Sequence, residues 1–188
     1  MIHKNCFYFI DKFEKFLINN LAKNIHIIYR NYNKEYSIDE IVKIKKICKL
    51  TNRKFYLANN IKLAVKLNLD GAYIPSFNND CIPFRFNRNK FRVIGSAHNL
   101  KEISEKRKQK IDMLFISPLF KIDKKKNFLG PVKFNILSKY FNKQTIALGG
   151  INKQNLNIIN KINCYGFASI SYIEKSKLNG YRFNKKKD

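Results

Sequence analysis

The chain has 188 residues and a formal charge of +25, with 45 % hydrophobic and 27 % charged residues. This length suits one domain, and the composition allows a sizeable core and excludes an intrinsically disordered chain. No apolar run reaches the ~18 residues of a membrane span. The first apolar run, Cys6–Ile10, is too short for a signal-peptide core, so we expect a cytoplasmic protein.

The net charge attracts anions, whether nucleic acids, membrane surfaces or phosphorylated metabolites. The basic residues are spread along the chain among many Asn and Ile residues, as is typical of proteins from AT-rich genomes. The terminal run Lys185–Lys187 is expected to be solvated. Because no aromatic–basic pattern of an RNA-binding module is present, we do not expect nucleic acid as a partner despite the charge, and no membrane partner is expected. The pattern indicates no oligomeric state.

Four cysteines are scattered along the chain, at Cys6, Cys48, Cys81 and Cys164. No pair has the spacing of metal ligands or of a redox motif, and the three histidines do not cluster with them. We expect small buried hydrophobic residues in a reducing compartment.

Short apolar runs alternate with longer amphipathic stretches, which is typical of a covered parallel sheet with helical crossovers. The predicted strands are Phe7–Ile10, His26–Arg30, Phe55–Ala58, Gly71–Pro75, Arg92–Ser96, Met113–Ser117, Thr145–Gly149 and Gly166–Ser171. Ser37 and Glu40 form a capping box that predicts a helix start. Helical faces are traced by Ile38, Ile41, Ile44, Ile47 and Cys48, and by Leu156, Ile159 and Ile162.

Eight strands alternating with helices predict an α/β fold, a compact (β/α)8 TIM barrel. Its helices must be short, because the chain is slightly shorter than most such barrels. The barrel is expected to occupy residues 1–180 as a single domain, followed by a basic tail at 181–188. The least regular segment is Phe77–Lys90, where a helix can be missing. A doubly wound open sheet is the alternative, since periodicity does not distinguish the two.

Polar residues and glycines stand at the carboxyl ends of the predicted strands, where TIM barrels carry their chemistry. These residues are Arg30, Asn59, Asn60, Ser76, Ser96, His98, Ser117, Gly149, Gly150 and Ser171, the last of which follows Ile170 at the end of its strand. Gly149 and Gly150 are predicted to end one strand and open a helix, so their backbone suits a phosphate group. A plain strand-to-helix turn is the other interpretation of a glycine pair.

Five short stretches resemble the thiamine phosphate synthase family, in the family's order and over most of the chain. They are Asn59-Asn60 with Leu63-Ala64 and Asp70-Gly71; Ile94-Gly95-Ser96-Ala97-His98; Asp112-Met113 with Ser117-Pro118-Leu119-Phe120; Gly149-Gly150-Ile151; and Gly166 to Ser171. Each stretch is weak alone, whereas their shared order indicates kinship. The resemblance implies a transferase of thiamine synthesis that couples an aminopyrimidine pyrophosphate to a thiazole phosphate and releases pyrophosphate.

The resemblance also implies roles for individual residues. Arg30 corresponds to the arginine of a pyrophosphate motif, Asn59 to an asparagine that contacts the pyrimidine, and Ser96 to a serine near it. The predicted catalytic residues are Arg30, Lys125 and Ser96, and the predicted substrate-binding residues are Asn59, Asn60, Lys124, Gly150, Ile170, Ser171 and His98. A lone histidine at a strand end is usually structural, although His98 has the chemistry of an acid or base.

The chain departs from the family at the metal site. The family's magnesium-binding aspartates fall at Asn60 and Asn78, and neutral amides replace carboxylates poorly on Mg²⁺. Asp80 is near enough to Asn78 to stand in for one, so Mg²⁺ remains a candidate cofactor at Asn78 and Asp80. Asp70 is expected to be structural.

The pyrophosphate motif and the phosphate loop also differ from the family pattern. Ile28 and Tyr32 replace a glutamine and a lysine, and Ile122 and Lys124 replace two threonines. Lysines at 121 and 124–126 add positive charge, and ammonium groups can hold phosphate without a metal. An exposed basic loop is the other interpretation.

Three functions are compatible with these patterns. The first is the coupling enzyme. The second is a degenerate relative that binds a phosphorylated thiamine precursor, or acts like the related thiazole tautomerase, without coupling. The tautomerase uses a histidine in the loop that here carries Pro118. Because no histidine stands there, the tautomerase-like function is the weaker form of this second hypothesis. The third is a nucleic-acid binder, which we place last.

Overall fold

A computed structural model describes residues 5–32, 35–82, 90–122, 127–170 and 172–173 of the chain. Eight parallel strands close into a barrel in chain order, with the last paired to the first. The strands are β1 (Asn5–Ile10), β2 (Ile25–Tyr29), β3 (Phe55–Ala58), β4 (Gly71–Ile74), β5 (Arg92–Ala97), β6 (Met113–Ile116), β7 (Gln144–Leu148) and β8 (Gly166–Ala168). All eight predicted strands and the TIM barrel are confirmed, and closure rules out the open sheet.

Short helices connect the strands. Those in the described ranges are α1 (Lys15–Asn19), α2 (Ile38–Leu50), α3 (Ile61–Lys66), α4 (Leu100–Lys108), α5 (Gly130–Phe141) and α6 (Leu156–Ile159). Ser37 caps α2 as predicted, since its hydroxyl accepts from the Glu40 backbone N–H at 3.4 Å. In the described part of the β4–β5 connection, 75–82 and 90–91, no helix is present.

Apolar side chains form two layers. The outer layer lies between strands and helices and includes Ile41 and Phe134. The inner layer fills the barrel and consists of Phe7, Phe9, Ile28, Tyr56, Ala58, Tyr73, Ile94, Met113, Phe115, Ile146 and Ala168. Its rings pack edge to face, with centroids 5.4 Å apart for Phe9 and Tyr73.

Side chains alternate along a strand, so the residue two positions beyond an inner one also points into the barrel, closer to its mouth. Arg30 follows Ile28 in this way, and Ser96 follows Ile94. Two of the predicted catalytic residues therefore point inward, nearer the mouth than Ile28 and Ile94.

The expectation that the cysteines are buried is confirmed for two of the four. Cys6 and Cys48 are buried, and burial raises the pKa of both thiols to about 12. Cys81 is exposed, because it lies in the connection after β4 rather than in the core, and Cys164 is half-buried. Asp70 is structural as expected, since its carboxylate accepts from the Phe55 N–H at 3.0 Å.

Among the residues described, no helix is both long enough and apolar enough to cross a membrane. The predicted basic tail at 181–188 lies outside the described ranges.

Candidate active site

Arg30 follows β2 and lies over the aromatic interior of the barrel. Its guanidinium carbon is 4.5 Å from the Phe9 ring centroid and 6.0 Å from that of Tyr32. A guanidinium this close to a ring face is held by cation–π attraction. The Arg30 backbone N–H donates to the Ile10 carbonyl at 2.8 Å, so strand pairing continues up to this residue and fixes its position at the mouth.

Tyr73, on β4, lies near both Arg30 and Ser96. Tyr73 and Ser96 are 3 % and 4 % exposed. Burial raises the pKa of Tyr73, against the opposing effect of the Ser96 and Arg30 side chains, so the hydroxyl stays protonated near neutral pH. The structure therefore brings Arg30 and Ser96 close to a common tyrosine that sequence reasoning missed.

Asn59, Asn78 and Asp80 form a second polar cluster between the ends of β3 and β4. Asn78 Nδ2 donates to Asn59 Oδ1 at 2.8 Å and to Asp80 Oδ2 at 3.3 Å, and Asn78 Oδ1 accepts from the Asp80 N–H at 2.9 Å. Asn60 caps α3, because its Oδ1 accepts from the Leu63 N–H at 3.0 Å. The asparagines and Asp80 line a cavity of about 210 Å³.

Lys106, on α4, binds the loop in which Asn78 and Asp80 lie. Lys106 is fully buried, and its ammonium donates to the Asn78 carbonyl and to Gln109 Oε1. Gln109 Nε2 in turn donates to the carbonyls of Asn78 at 3.1 Å and Asp80 at 2.8 Å. Burial lowers the pKa of Lys106 to about 8. Neither residue was singled out in the sequence, where both fit a solvent-exposed helix face.

The buried ammonium predicts a pH-dependent stability. The folded-state pKa of Lys106, about 8, lies below the ordinary lysine value of 10.5 that applies to the unfolded chain. The unfolded chain therefore binds more protons between these values, and the cost of burying the charge disappears as the pH rises. The free energy of unfolding of the wild type, relative to Lys106→Met, is expected to rise by up to about 1.4 kcal/mol per pH unit in this window.

Urea unfolding at about pH 7.5, 9 and 10 measures this difference. Lys139→Met, which removes an exposed lysine from α5, is the control and is expected to show no such rise. A wild-type advantage over Lys106→Met that falls with pH would contradict the prediction.

Gly149 and Gly150 follow β7 with positive φ angles of 95° and 69°. The β6–α5 loop lies against them, because the Phe120 N–H donates to the Gly149 carbonyl at 3.1 Å. A Cβ at Gly150 would be 2.6 Å from the Lys121 carbonyl oxygen. Glycine is required here both by the backbone angle and by the close approach of this loop.

The helix predicted to open at Gly150 begins later. Asn152 Oδ1 accepts from the N–H groups of Gln154 at 2.9 Å and Asn155 at 3.2 Å, and Asn155 Nδ2 donates to the Gly150 carbonyl at 2.9 Å. The helix α6 starts at Leu156 and has four residues. The expectation was wrong because asparagine side chains compete with a helix for the backbone hydrogen bonds.

A helical turn follows β8, where the sequence predicts that the strand continues to Ser171. Residues 170, 172 and 173 are helical, and Ser169 precedes them. The Ser169 hydroxyl accepts from the Tyr172 N–H at 3.1 Å and donates to the Ile151 carbonyl at 2.8 Å. The strand therefore ends earlier than predicted, at Ala168. Ser169, which sequence reasoning missed, ties the turns after β7 and β8 together.

A cavity of about 230 Å³ beside the mouth is lined by both Arg30 and Ile170. Its charged lining residues are Asp11, Lys12, Glu14 and Arg30. Arg30 thus shares a cavity with Ile170, one of the predicted substrate-binding residues, whereas Asn59 and Asn78 line a different one. Lys124, Lys125 and Ser171 lie outside the described residues.

His98 links the ends of β5 and β6. Its Nδ1 is 2.7 Å from the Ser117 carbonyl oxygen, and because a carbonyl can only accept, Nδ1 carries the proton. The His98 backbone N–H donates to the Glu102 carboxylate at 2.8 Å. These contacts give His98 a structural role, and its part in substrate binding stays a prediction.

Proteins of the thiamine phosphate synthase group are similar to this chain in sequence and in fold. A family model described as thiamine monophosphate synthase matches residues 9–173. A thiamine-phosphate synthase of Prochlorococcus marinus subsp. pastoris is 29 % identical over 163 residues, which cover 85 % of this chain and 45 % of that protein. One from Persephonella marina is 25 % identical over 154 residues, covering 79 % of this chain and 74 % of that protein. The chain spans less than half the length of its Prochlorococcus relatives.

A solved structure with the same fold is the thiamine phosphate pyrophosphorylase from Pyrococcus furiosus. It superposes with a TM-score of 0.69 at 18 % identity, covering 89 % of this chain and 85 % of that chain. At this identity the likeness supports the barrel architecture.

Proposed function

The chain belongs to the thiamine monophosphate synthase family, and from this premise we propose that it couples an aminopyrimidine pyrophosphate to a thiazole phosphate. In this reaction a carbon–nitrogen bond forms while the carbon–oxygen bond to pyrophosphate breaks, and the departing oxygen takes the electron pair. Charge therefore accumulates on the pyrophosphate, and the protein must neutralise it.

The observation that carries the proposal is the position of Arg30. Its guanidinium lies on the Phe9 ring and near the Tyr73 hydroxyl, at the carboxyl end of the barrel. A planar guanidinium donates two parallel hydrogen bonds to phosphate oxygens, and its charge does not titrate near neutral pH. We assign Arg30 to the leaving pyrophosphate. Ser96 is proposed to act through Tyr73, whose hydroxyl lies near both Ser96 and Arg30.

The turns after β7 and β8 are proposed to hold the thiazole phosphate. Gly150 has no side chain, so its backbone is open to a ligand at the mouth. The Ser169 hydroxyl holds the turn that begins at Ile170. The backbone of Ser171 is assigned to the same group. The cavity that Arg30 and Ile170 share supports this placement, because the two phosphate groups must approach each other for coupling.

Asn59 and Asn60 are assigned to the pyrimidine side of the site, where they share a cavity. Lys124 and Lys125 are proposed to add positive charge over the pyrophosphate. They follow Lys121 in the loop whose Phe120 is bonded to Gly149. Small phosphorylated compounds are therefore the proposed partners.

Pyrophosphate release tests the function directly. The purified full chain, supplied with both phosphorylated substrates, is expected to release one pyrophosphate per thiamine phosphate formed, as followed by an enzyme-coupled assay and mass spectrometry. Omission of either substrate is expected to abolish release. If the folded protein is silent with both substrates but its melting temperature rises with either one, the chain binds without coupling and the proposal fails.

A further inference from the structure

The Asn59–Asn78–Asp80 cluster lies where the family resemblance implies Mg²⁺. We infer that this cluster binds no divalent cation, and that the amide nitrogen of Asn78 occupies the position between the oxygens of Asn59 and Asp80 that a cation would need. The inference rests on the proposed function for its chemical meaning, although the cation binding itself is testable without substrates.

The orientation of the Asn78 amide follows from its neighbour. The Asp80 backbone N–H lies 2.9 Å from Asn78 Oδ1, and an N–H can only donate, so the oxygen of the amide must face it. The nitrogen then faces Asn59 Oδ1 at 2.8 Å and Asp80 Oδ2 at 3.3 Å. Both oxygens accept from this nitrogen. A reversed amide would set two N–H groups against each other, at a cost of about 1–3 kcal/mol.

The remaining oxygens do not complete a Mg²⁺ site. Asn60 Oδ1 is committed to the Leu63 N–H at the start of α3. Among the described residues that line this cavity, Asp80 is the one carboxylate. In the described ranges, no three His, Cys, Asp or Glu side chains are grouped closely enough to hold a metal ion. Mg²⁺ requires near-octahedral oxygen ligands and is usually held by one or two carboxylates with water and substrate phosphate.

Positive charge already surrounds the cluster. The Lys106 ammonium is bonded to the backbone carbonyl of Asn78, and Lys62 lines the same cavity. The negative charge of Asp80 partly offsets the positive charges of these two lysines. A divalent cation would be repelled by both lysines, most strongly by Lys106, which is fully buried. Side-chain cations such as Arg30 would then neutralise the pyrophosphate in place of a metal held by the protein.

A gain-of-binding variant tests the inference. Asn78→Asp removes the donating nitrogen and places a second carboxylate beside Asp80 and Asn59 Oδ1. Mn²⁺ titration followed by electron paramagnetic resonance, on the full chain without substrates, is expected to show no binding by the wild type up to about 1 mM. Asn78→Asp is expected to bind Mn²⁺ at least about tenfold more tightly, with competition by Mg²⁺.

Two control variants isolate the cause. Asn79→Asp adds the same charge at the exposed neighbouring residue and is expected to leave binding unchanged. Asp80→Asn in the Asn78→Asp background is expected to remove the gain. Wild-type binding of Mn²⁺ that Asp80→Asn abolishes would overturn the inference. A folded Asn78→Asp variant without any gain would overturn it as well, because the amide would then not be what keeps the cation out. These Mn²⁺-binding results do not depend on whether the chain releases pyrophosphate, so failure of the proposed function is distinguished from failure of this inference.

Discussion

Arg30→Ala is expected to lower kcat/KM for pyrophosphate release by about 10²–10³-fold, which corresponds to about 3–4 kcal/mol of transition-state stabilisation. The guanidinium lies at the mouth of the barrel, above Phe9 and near Tyr73. Arg30→Lys is expected to lose less, because it keeps the charge but not the planar fork. Initial rates at several concentrations of both substrates measure these effects.

The matched control is Arg92→Ala. Arg92 begins β5 at the opposite end of the barrel, and it is exposed. Its removal lowers the net charge by the same amount and is expected to change kcat/KM by less than about twofold, since distant exposed charges are screened by salt. Equal losses in the two alanine variants would show that overall charge, rather than the position of Arg30, drives the reaction. Thermal unfolding of each variant excludes loss of fold as the cause.

Gly150→Ala is expected to destabilise the chain more than Gly130→Ala does. Both glycines have a φ of 69°, so both substitutions carry the left-handed backbone penalty of about 1–2 kcal/mol. A Cβ at Gly130 meets no atom within 4 Å, whereas one at Gly150 meets the Lys121 carbonyl oxygen at 2.6 Å. Displacing that loop is expected to cost about 1–3 kcal/mol more. Urea unfolding of both variants gives the difference directly.

The same displacement is expected to affect coupling. The loop pressed against Gly150 leads into the segment that carries Lys124 and Lys125, so Gly150→Ala is expected to reduce the rate by at least about tenfold. Gly130→Ala is expected to retain most of the activity. If the two variants lose equal stability, the loop yields freely, and glycine is required at 150 for its backbone angle alone.

The strands were predictable from the sequence because each is a short β-rich apolar run with its own polar end. The same alternation that identifies Ile28 and Ile94 as inner residues places Arg30 and Ser96 one layer higher. Their convergence was therefore accessible without coordinates. The closed barrel was predicted as well, but periodicity left an open sheet as the alternative, since strand pairing depends on contacts between residues far apart in the chain.

The missed features share a physical cause, which is competition among local hydrogen bonds. Ser169 ends β8 early because its hydroxyl caps the next turn, and Asn152 delays the helix after β7. Tyr73 looked like an ordinary core aromatic. The available signal was its place inside the predicted apolar strand Gly71–Pro75, since a buried tyrosine hydroxyl must find a partner.

The rings beneath Arg30 also decide how any molecule can meet this protein. Phe9, Tyr73 and Phe115 lie 5.4 to 6.0 Å apart by centroid and close the barrel from wall to wall. These side chains fill the interior of the barrel, so a ligand is expected to bind above them and to be contacted by the loops around the mouth. Selectivity then resides in the surrounding loops, and these can diverge while the scaffold below stays the same.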